Sequence, residues 1–110
     1  MSKEHKKELL GFTAGNFDLL HPGYIKCFKW AKKHCDRFII FLQDDPSLHR
    51  SSKYKPVIPL WDRYEALMAI EYIDDVYTYQ TEEELYHLQV MTYHQRLFIH
   101  LVHMVGRQLN

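Results

Sequence analysis

Only two cysteines, Cys27 and Cys35, occur in 110 residues. That is too few to staple a small fold, so stability has to come from a packed core. Net charge is absent as well: 14 Lys and Arg balance 14 Asp and Glu. This argues against broad electrostatic binding to nucleic acid or to an anionic membrane, and any anion must be met by a local cluster. No apolar run approaches the roughly 20 residues of a membrane span, and the charged opening Ser2–Glu8 is unlike a signal peptide. The expectation is a cytoplasmic protein that engages neither nucleic acid nor membrane. Glycine and proline are scarce, four of each, so each one punctuates the chain. What is present is a composition 46% hydrophobic and 15% aromatic, sufficient for one core and too short for two. Residues 1–8 read as a charged leader and 9–110 as a single domain.

The hydrophobic pattern alternates between two periods. Leu9–Thr13 is a short apolar strand that runs into the turn signal Ala14-Gly15-Asn16. Pro22 then suits the first position of a helix, where its missing N–H is not needed. Ile25, Phe28 and Ala31 share one face of that helix, beside Cys27 and Trp30, and lysines crowd the other. Arg37–Leu42 is almost continuously apolar, as expected of a strand buried on both faces of a parallel sheet. After a polar loop, Pro59 opens a second helix, and Asp75–Tyr79 forms a third strand. Thr81 followed by Glu84 is a capping box and starts a third helix. Leu97–Val105 is a last apolar segment, read as a fourth strand. Strand and helix alternating in this way predict an α/β, three-layer Rossmann-like fold with a parallel sheet, β1 central.

In such a sheet, ligands bind past the carboxyl ends of the strands where their order reverses. The first strand delivers Thr13–Leu20 to that place. Gly15 lets backbone approach a ligand, the next helix offers its N–H groups, and His21 stands at its N-terminus. This is the physical outline of a phosphate site. The plain alternative is that Asn16 and Asp18 only shape the turn and His21 only caps the helix. The eight histidines form no recognisable ligand set, and His100 and His103 would point to opposite faces of a strand. No protein-held metal is expected.

The segment Thr13-Ala14-Gly15-Asn16-Phe17-Asp18-Leu19-Leu20-His21-Pro22-Gly23-Tyr24 resembles the G-x-F-D-x-x-H-x-G-H signature of the cytidylyltransferases. Four further stretches follow in family order. These are Cys35–Asp45, the basic Lys53, Lys55 and Pro56, Arg63 with Leu67, and Tyr72-Ile73-Asp74-Asp75-Val76. The resemblance runs from about Phe12 to Leu85. It implies a nucleotidyltransferase fold and transfer of CMP from CTP to a small phosphorylated alcohol such as glycerol 3-phosphate, with pyrophosphate leaving. It further implies catalytic roles for His21, Lys55 and Arg63. Nucleotide contacts are implied at Thr13, Ala14, Gly15, Asn16, Phe17, Asp18, His21, Gly23, Tyr24, Asp45 and Lys53. Mg²⁺ carried by the nucleotide, CTP and a small phosphomonoester as partners, and a homodimer are implied too. Surface aromatics including Trp61, Tyr77 and Tyr79 would support pairing.

Some positions depart from the pattern. Tyr24 stands where the family has a second histidine, Phe41 where it often has glycine, and Asp44 where it has threonine. Nothing after Met91 matches well, so a chain truncated at its C-terminus relative to the family is expected. An impaired nucleotide-binding homologue and an adenylyltransferase of the same superfamily are the alternatives.

Overall fold

The computed structural model describes residues 9–48, 54–93 and 97–100. The leader, Lys53 and residues 101–110, including the end of the expected last strand, lie outside them. The elements are β1 (Leu9–Gly15), α1 (Pro22–Lys33), β2 (Arg37–Gln43), a short 3₁₀ turn (Pro46–Leu48), α2 (Leu60–Met68), β3 (Asp75–Tyr79), α3 (Glu82–Tyr93) and β4 (Leu97–His100). All strand pairs are parallel and the sheet order is β3-β2-β1-β4. β1 is therefore central. The chain steps outward through β2 and β3, then crosses back to place β4 on the far side of β1. The strand order reverses there.

β1 runs two residues past the expected Thr13. Ala14 and Gly15 go on pairing with Phe41 and Leu42, because neither side chain is large enough to force the strand out of register. The α1 boundary agrees with the sequence: Pro22 is its first residue, and Cys27, Phe28 and Ala31 are buried. The capping box is formed in full. Thr81 Oγ1 accepts from the Glu84 N–H at 3.1 Å, and Glu84 Oε1 accepts from the Thr81 N–H at 3.1 Å.

Pleating divides β2 between two cores. Phe38, Ile40 and Leu42 face α1 and α2, where they meet Phe28, Ala31 and Leu67. Ile39 and Phe41 face the other way with Leu10, Phe12 and Tyr79, under Leu85 and Leu88 of α3. This makes the three layers. Each core holds an edge-to-face ring pair: Phe17 with Phe28 at 5.8 Å on the α1 side and Phe12 with Phe41 at 5.3 Å on the α3 side. Such a pair contributes about 0.5–1.5 kcal/mol beyond its buried area. Tyr79, expected on the surface, is instead 8% exposed. Burial under α3, helped by Glu82, pushes its hydroxyl up to about 12.

Aspartates stitch the amino ends of the strands. Asp36 Oδ2 accepts from the Leu9 N–H at 2.8 Å, and Asp75 pairs with Arg37 at 2.8 Å. Asp74 Oδ2 accepts from Lys32 Nζ and from the Phe38 N–H, both at 2.7 Å. Burial pushes the Asp74 carboxyl up, but these donors and the nearby Lys32 and Arg37 charges outweigh it, and it lies below the ordinary value. A depressed carboxyl contributes stability that is complete above the unfolded carboxylate range and is lost as pH falls through the folded value. Thermal unfolding followed from pH 7 downward should show the melting temperature dropping below about pH 4. Asp74→Asn should cost about 1 kcal/mol at pH 7 and flatten part of that acid slope.

Candidate functional site

The carboxyl ends of β1 and β2 open into two loops that meet. The first, Asn16–His21, leaves the central strand. Its Phe17 sits in the left-handed region at φ 45°, a conformation that costs a non-glycine residue of order 1–3 kcal/mol. The ring is 7% exposed and folds back into the core. A Cβ added at Gly15 would meet that ring at 3.3 Å, so the glycine makes room for Phe17. Phe17, expected to contact nucleotide, can do so only through its backbone. Thr13 is likewise buried, and Ala14 packs toward α3.

His21 is the N-cap of α1, in extended conformation, and its Nδ1 accepts from the Gly23 N–H at 2.9 Å. That bond occupies Nδ1 as an acceptor. In the neutral ring the proton is therefore on Nε2, the nitrogen left facing outward as a donor. The ring is exposed. In the first α1 turn Pro22 has no N–H, the Gly23 N–H is taken by His21 Nδ1, and the Tyr24 and Ile25 N–H groups donate to the His21 carbonyl at 2.9 and 3.4 Å. Beyond the ring, this helix end therefore offers an anion its dipole rather than open donors. A largely apolar groove of about 500 Å³ opens next to His21, with Leu20, Ile25 and Tyr72 as walls and Lys26 and Lys29 along it. Tyr24, one turn into the helix, packs its ring edge-on to Phe17 at 5.7 Å and tilted to His21 at 5.0 Å. Packing is thus its observed work.

Arg63 is placed differently from the expectation. It is 3% exposed, and its guanidinium is spent on backbone. Nε donates to the Ile58 carbonyl at 2.7 Å and Nη2 to the Asp44 carbonyl at 2.6 Å. Nη1 donates to the carbonyls of Asn16 at 2.8 Å and Gln43 at 2.7 Å. Burial pulls its pKa down, while the Asp18, Asp44 and Asp45 carboxylates pull it back up. A fork held by four carbonyls on the buried side of the loops is a support beneath a site. It is not a phosphate clamp inside one.

Asp18 completes this support. Its Oδ2 accepts from the Val57 N–H at 2.8 Å and its Oδ1 from the Ile58 N–H at 2.9 Å. Burial alone would raise the carboxyl, but the two N–H groups and Arg63 hold it below the ordinary range. Asp45, expected at the nucleotide, caps the 3₁₀ turn: its Oδ1 accepts from the Ser47 N–H at 2.9 Å and from Ser47 Oγ at 2.6 Å. Lys55 is exposed beside the docked segment. The docking of Val57 and Ile58 was missed in the sequence, although Pro56 and Pro59 on either side were a usable signal. They stiffen the segment as extended chain and leave those two residues as its only N–H donors. Among the described residues no group of three His, Cys, Asp or Glu is placed to hold a metal ion.

Comparison with known proteins decides the family. The cytidylyltransferase-like family model matches residues 12–105. The chain belongs to the cytidylyltransferase-like family. The match passes well beyond Leu85 and Met91, where the resemblance read from the sequence stopped. Among curated relatives of this family member, the bifunctional protein HldE of Gluconacetobacter diazotrophicus is 39% identical over 77 residues, which are 69% of this chain and 16% of that protein. The FAD synthase of Thermococcus kodakarensis is 35% identical over 75 residues, 68% of this chain and 50% of that protein. The chain thus spans half or less of these relatives. A lipopolysaccharide core biosynthesis protein from Thermoplasma volcanium shares the fold, with a TM-score of 0.60 at 16% identity over 84% of this chain and 95% of that one.

The support under the loops can be tested without any substrate. Arg63→Met keeps bulk but leaves four carbonyls without their donor. With a buried unsatisfied acceptor costing about 1–3 kcal/mol, the variant should lose at least ~3 kcal/mol in denaturant unfolding. Unchanged stability would mean that water or another side chain replaces the guanidinium.

Proposed function

We propose that the cytidylyltransferase-like domain transfers a nucleotidyl group from a nucleoside triphosphate to a small phosphomonoester. The observation that carries this is the donor of His21, its tautomer set by the Gly23 bond, at the helix N-terminus beside the reversal of strand order. In the reaction an oxygen of the acceptor phosphate attacks the α-phosphorus. A new P–O bond forms, the bond to the bridging oxygen of the β-phosphate breaks, and pyrophosphate departs with that oxygen. The attacking phosphate is already ionised near neutral pH, so no protein base is required. Catalysis rests on position and on stabilising charge at the α-phosphate and leaving group. We assign that work to His21 Nε2–H, the positive end of the α1 dipole, Lys55 and Lys53, with Gly15 and Asn16 lining the turn under the nucleotide. Mg²⁺ would be bound through the triphosphate oxygens, which suits an ion that keeps several waters and the lack of a carboxylate cage among the described residues.

CTP as donor and a phosphorylated alcohol such as glycerol 3-phosphate as acceptor is the reading supported by the signature around His21. A relative named FAD synthase favours a second reading in which ATP is the donor and an adenylyl group moves. The exposed Trp61 and Tyr77 support pairing into a homodimer. No helix among the described residues is long and apolar enough to cross a membrane, which accords with work in the cytoplasm.

Calorimetry with CTP and with ATP, each with Mg²⁺, should show one bound tightly and the other weakly. Pyrophosphate release with glycerol 3-phosphate then tests the acceptor. His21→Asn retains a good helix cap while withdrawing the ring N–H, so turnover should fall about 10²–10³-fold with affinity and melting temperature little changed. Equal turnover in the variant would remove His21 from the chemistry.

A further inference from the structure

We infer that Asp18 and Arg63 are positioning residues which dock the Lys55 loop onto the His21 loop, so that the two phosphate-facing halves of the site are assembled by one clasp. The inference rests on the nucleotidyl-transfer reading for its purpose and on geometry for its substance. Between β2 and α2, from Asp44 to Pro59, the short Pro46–Leu48 turn is the regular structure among the described residues. A connection of that length has no ladder to hold it. Near its end, Val57 and Ile58 are gripped from both sides. Their N–H groups go to the two oxygens of Asp18, and the Ile58 carbonyl goes to Arg63 Nε. Arg63 simultaneously holds the carbonyl of Asn16, two residues before Asp18, and those of Gln43 and Asp44 where the loop begins. Both ends of the loop and the start of the His21 loop are thereby bonded to one side chain.

Lys55 lies two residues before the gripped pair, and His21 three residues after Asp18. Neither makes the docking bonds, yet their separation is set by them. Pro56 and Pro59 make the segment stiff, so displacing Val57 and Ile58 displaces Lys55 with them. A bidentate carboxylate is the group this role needs. An amide would present an NH₂ to one of the two N–H donors and lose that bond.

The test is Asp18→Asn, alone and combined with Lys55→Ala in the full chain. Amide hydrogen exchange by NMR reads the docking directly. In the parent, Val57 and Ile58 should exchange slowly for loop residues, and in Asp18→Asn at least tenfold faster, with Ile40 in β2 unchanged. Fast exchange of both amides in the parent, no change in the variant, or equal loss across the sheet would each overturn the docking. Calorimetric titration with CTP–Mg²⁺ and ATP–Mg²⁺ reads the purpose. Asp18→Asn should weaken binding about tenfold in the parent and less than twofold when Lys55 is already alanine, because its effect passes through Lys55. Costs that simply multiply would overturn that link. A parent that binds neither nucleotide would overturn the transfer reading together with the role in binding, while the exchange pattern would still decide whether the loops are clasped.

Discussion

Six hydrogen bonds from two side chains hold the working end of this domain: four donated by Arg63 to carbonyls and two accepted by Asp18 from amides. A parallel sheet delivers its strand ends to a common edge, but it says nothing about how the loops beyond that edge arrange themselves. Here the described parts of the loops carry one short 3₁₀ turn as regular structure. A buried guanidinium supplies donors in a rigid fork, so one side chain can satisfy carbonyls from three segments in a single plane. Its burial is tolerable because the donors are engaged and because Asp18, Asp44 and Asp45 stand close. The strained backbone at Phe17 belongs to the same arrangement. The chain turns sharply there so that the Asn16 carbonyl reaches Arg63 while the Phe17 ring plugs the core behind it.

The architecture was legible because its causes are local. Pro22 at the first helical position, the Thr81–Glu84 box and the doubly apolar Arg37–Leu42 each carry their own physics, and each element formed within a residue or two of its expected bounds. β1 overran because small residues at 14 and 15 neither favour nor oppose a strand by themselves; the pairing with β2 decided it. The family, too, was readable from the segment around His21 and its ordered companions.

The site was only partly legible, and the reason lies in what a motif records. It marks that a residue matters at a position, not whether the side chain meets the ligand or the protein. Arg63 and Asp18 fit a phosphate-binding signature by charge, yet in the fold their polar atoms meet main chain on other loops, 39 and 40 residues away for Asp18 and as far as 47 for Arg63. Partners that distant leave no periodic trace. Tyr24 and Phe17 were ambiguous for a related reason: an aromatic ring beside a nucleotide loop and one filling a core have the same local spacing, and only the ring contacts separate them. His21 was different. Its cap to Gly23 is a short-range bond, and short-range bonds can be foreseen.

The aspartate stitches at the opposite edge of the sheet have a consequence for how such a domain changes over generations. Asp36, Asp74 and Asp75 secure the strand starts by bonds that involve none of the ligand-facing loops. Substitutions in the β2–α2 loop at positions other than Lys53, Lys55 and the clasped residues can therefore accumulate and be tried against new acceptors while the sheet stays in register. The fold's inheritance is kept at one edge and its novelty at the other.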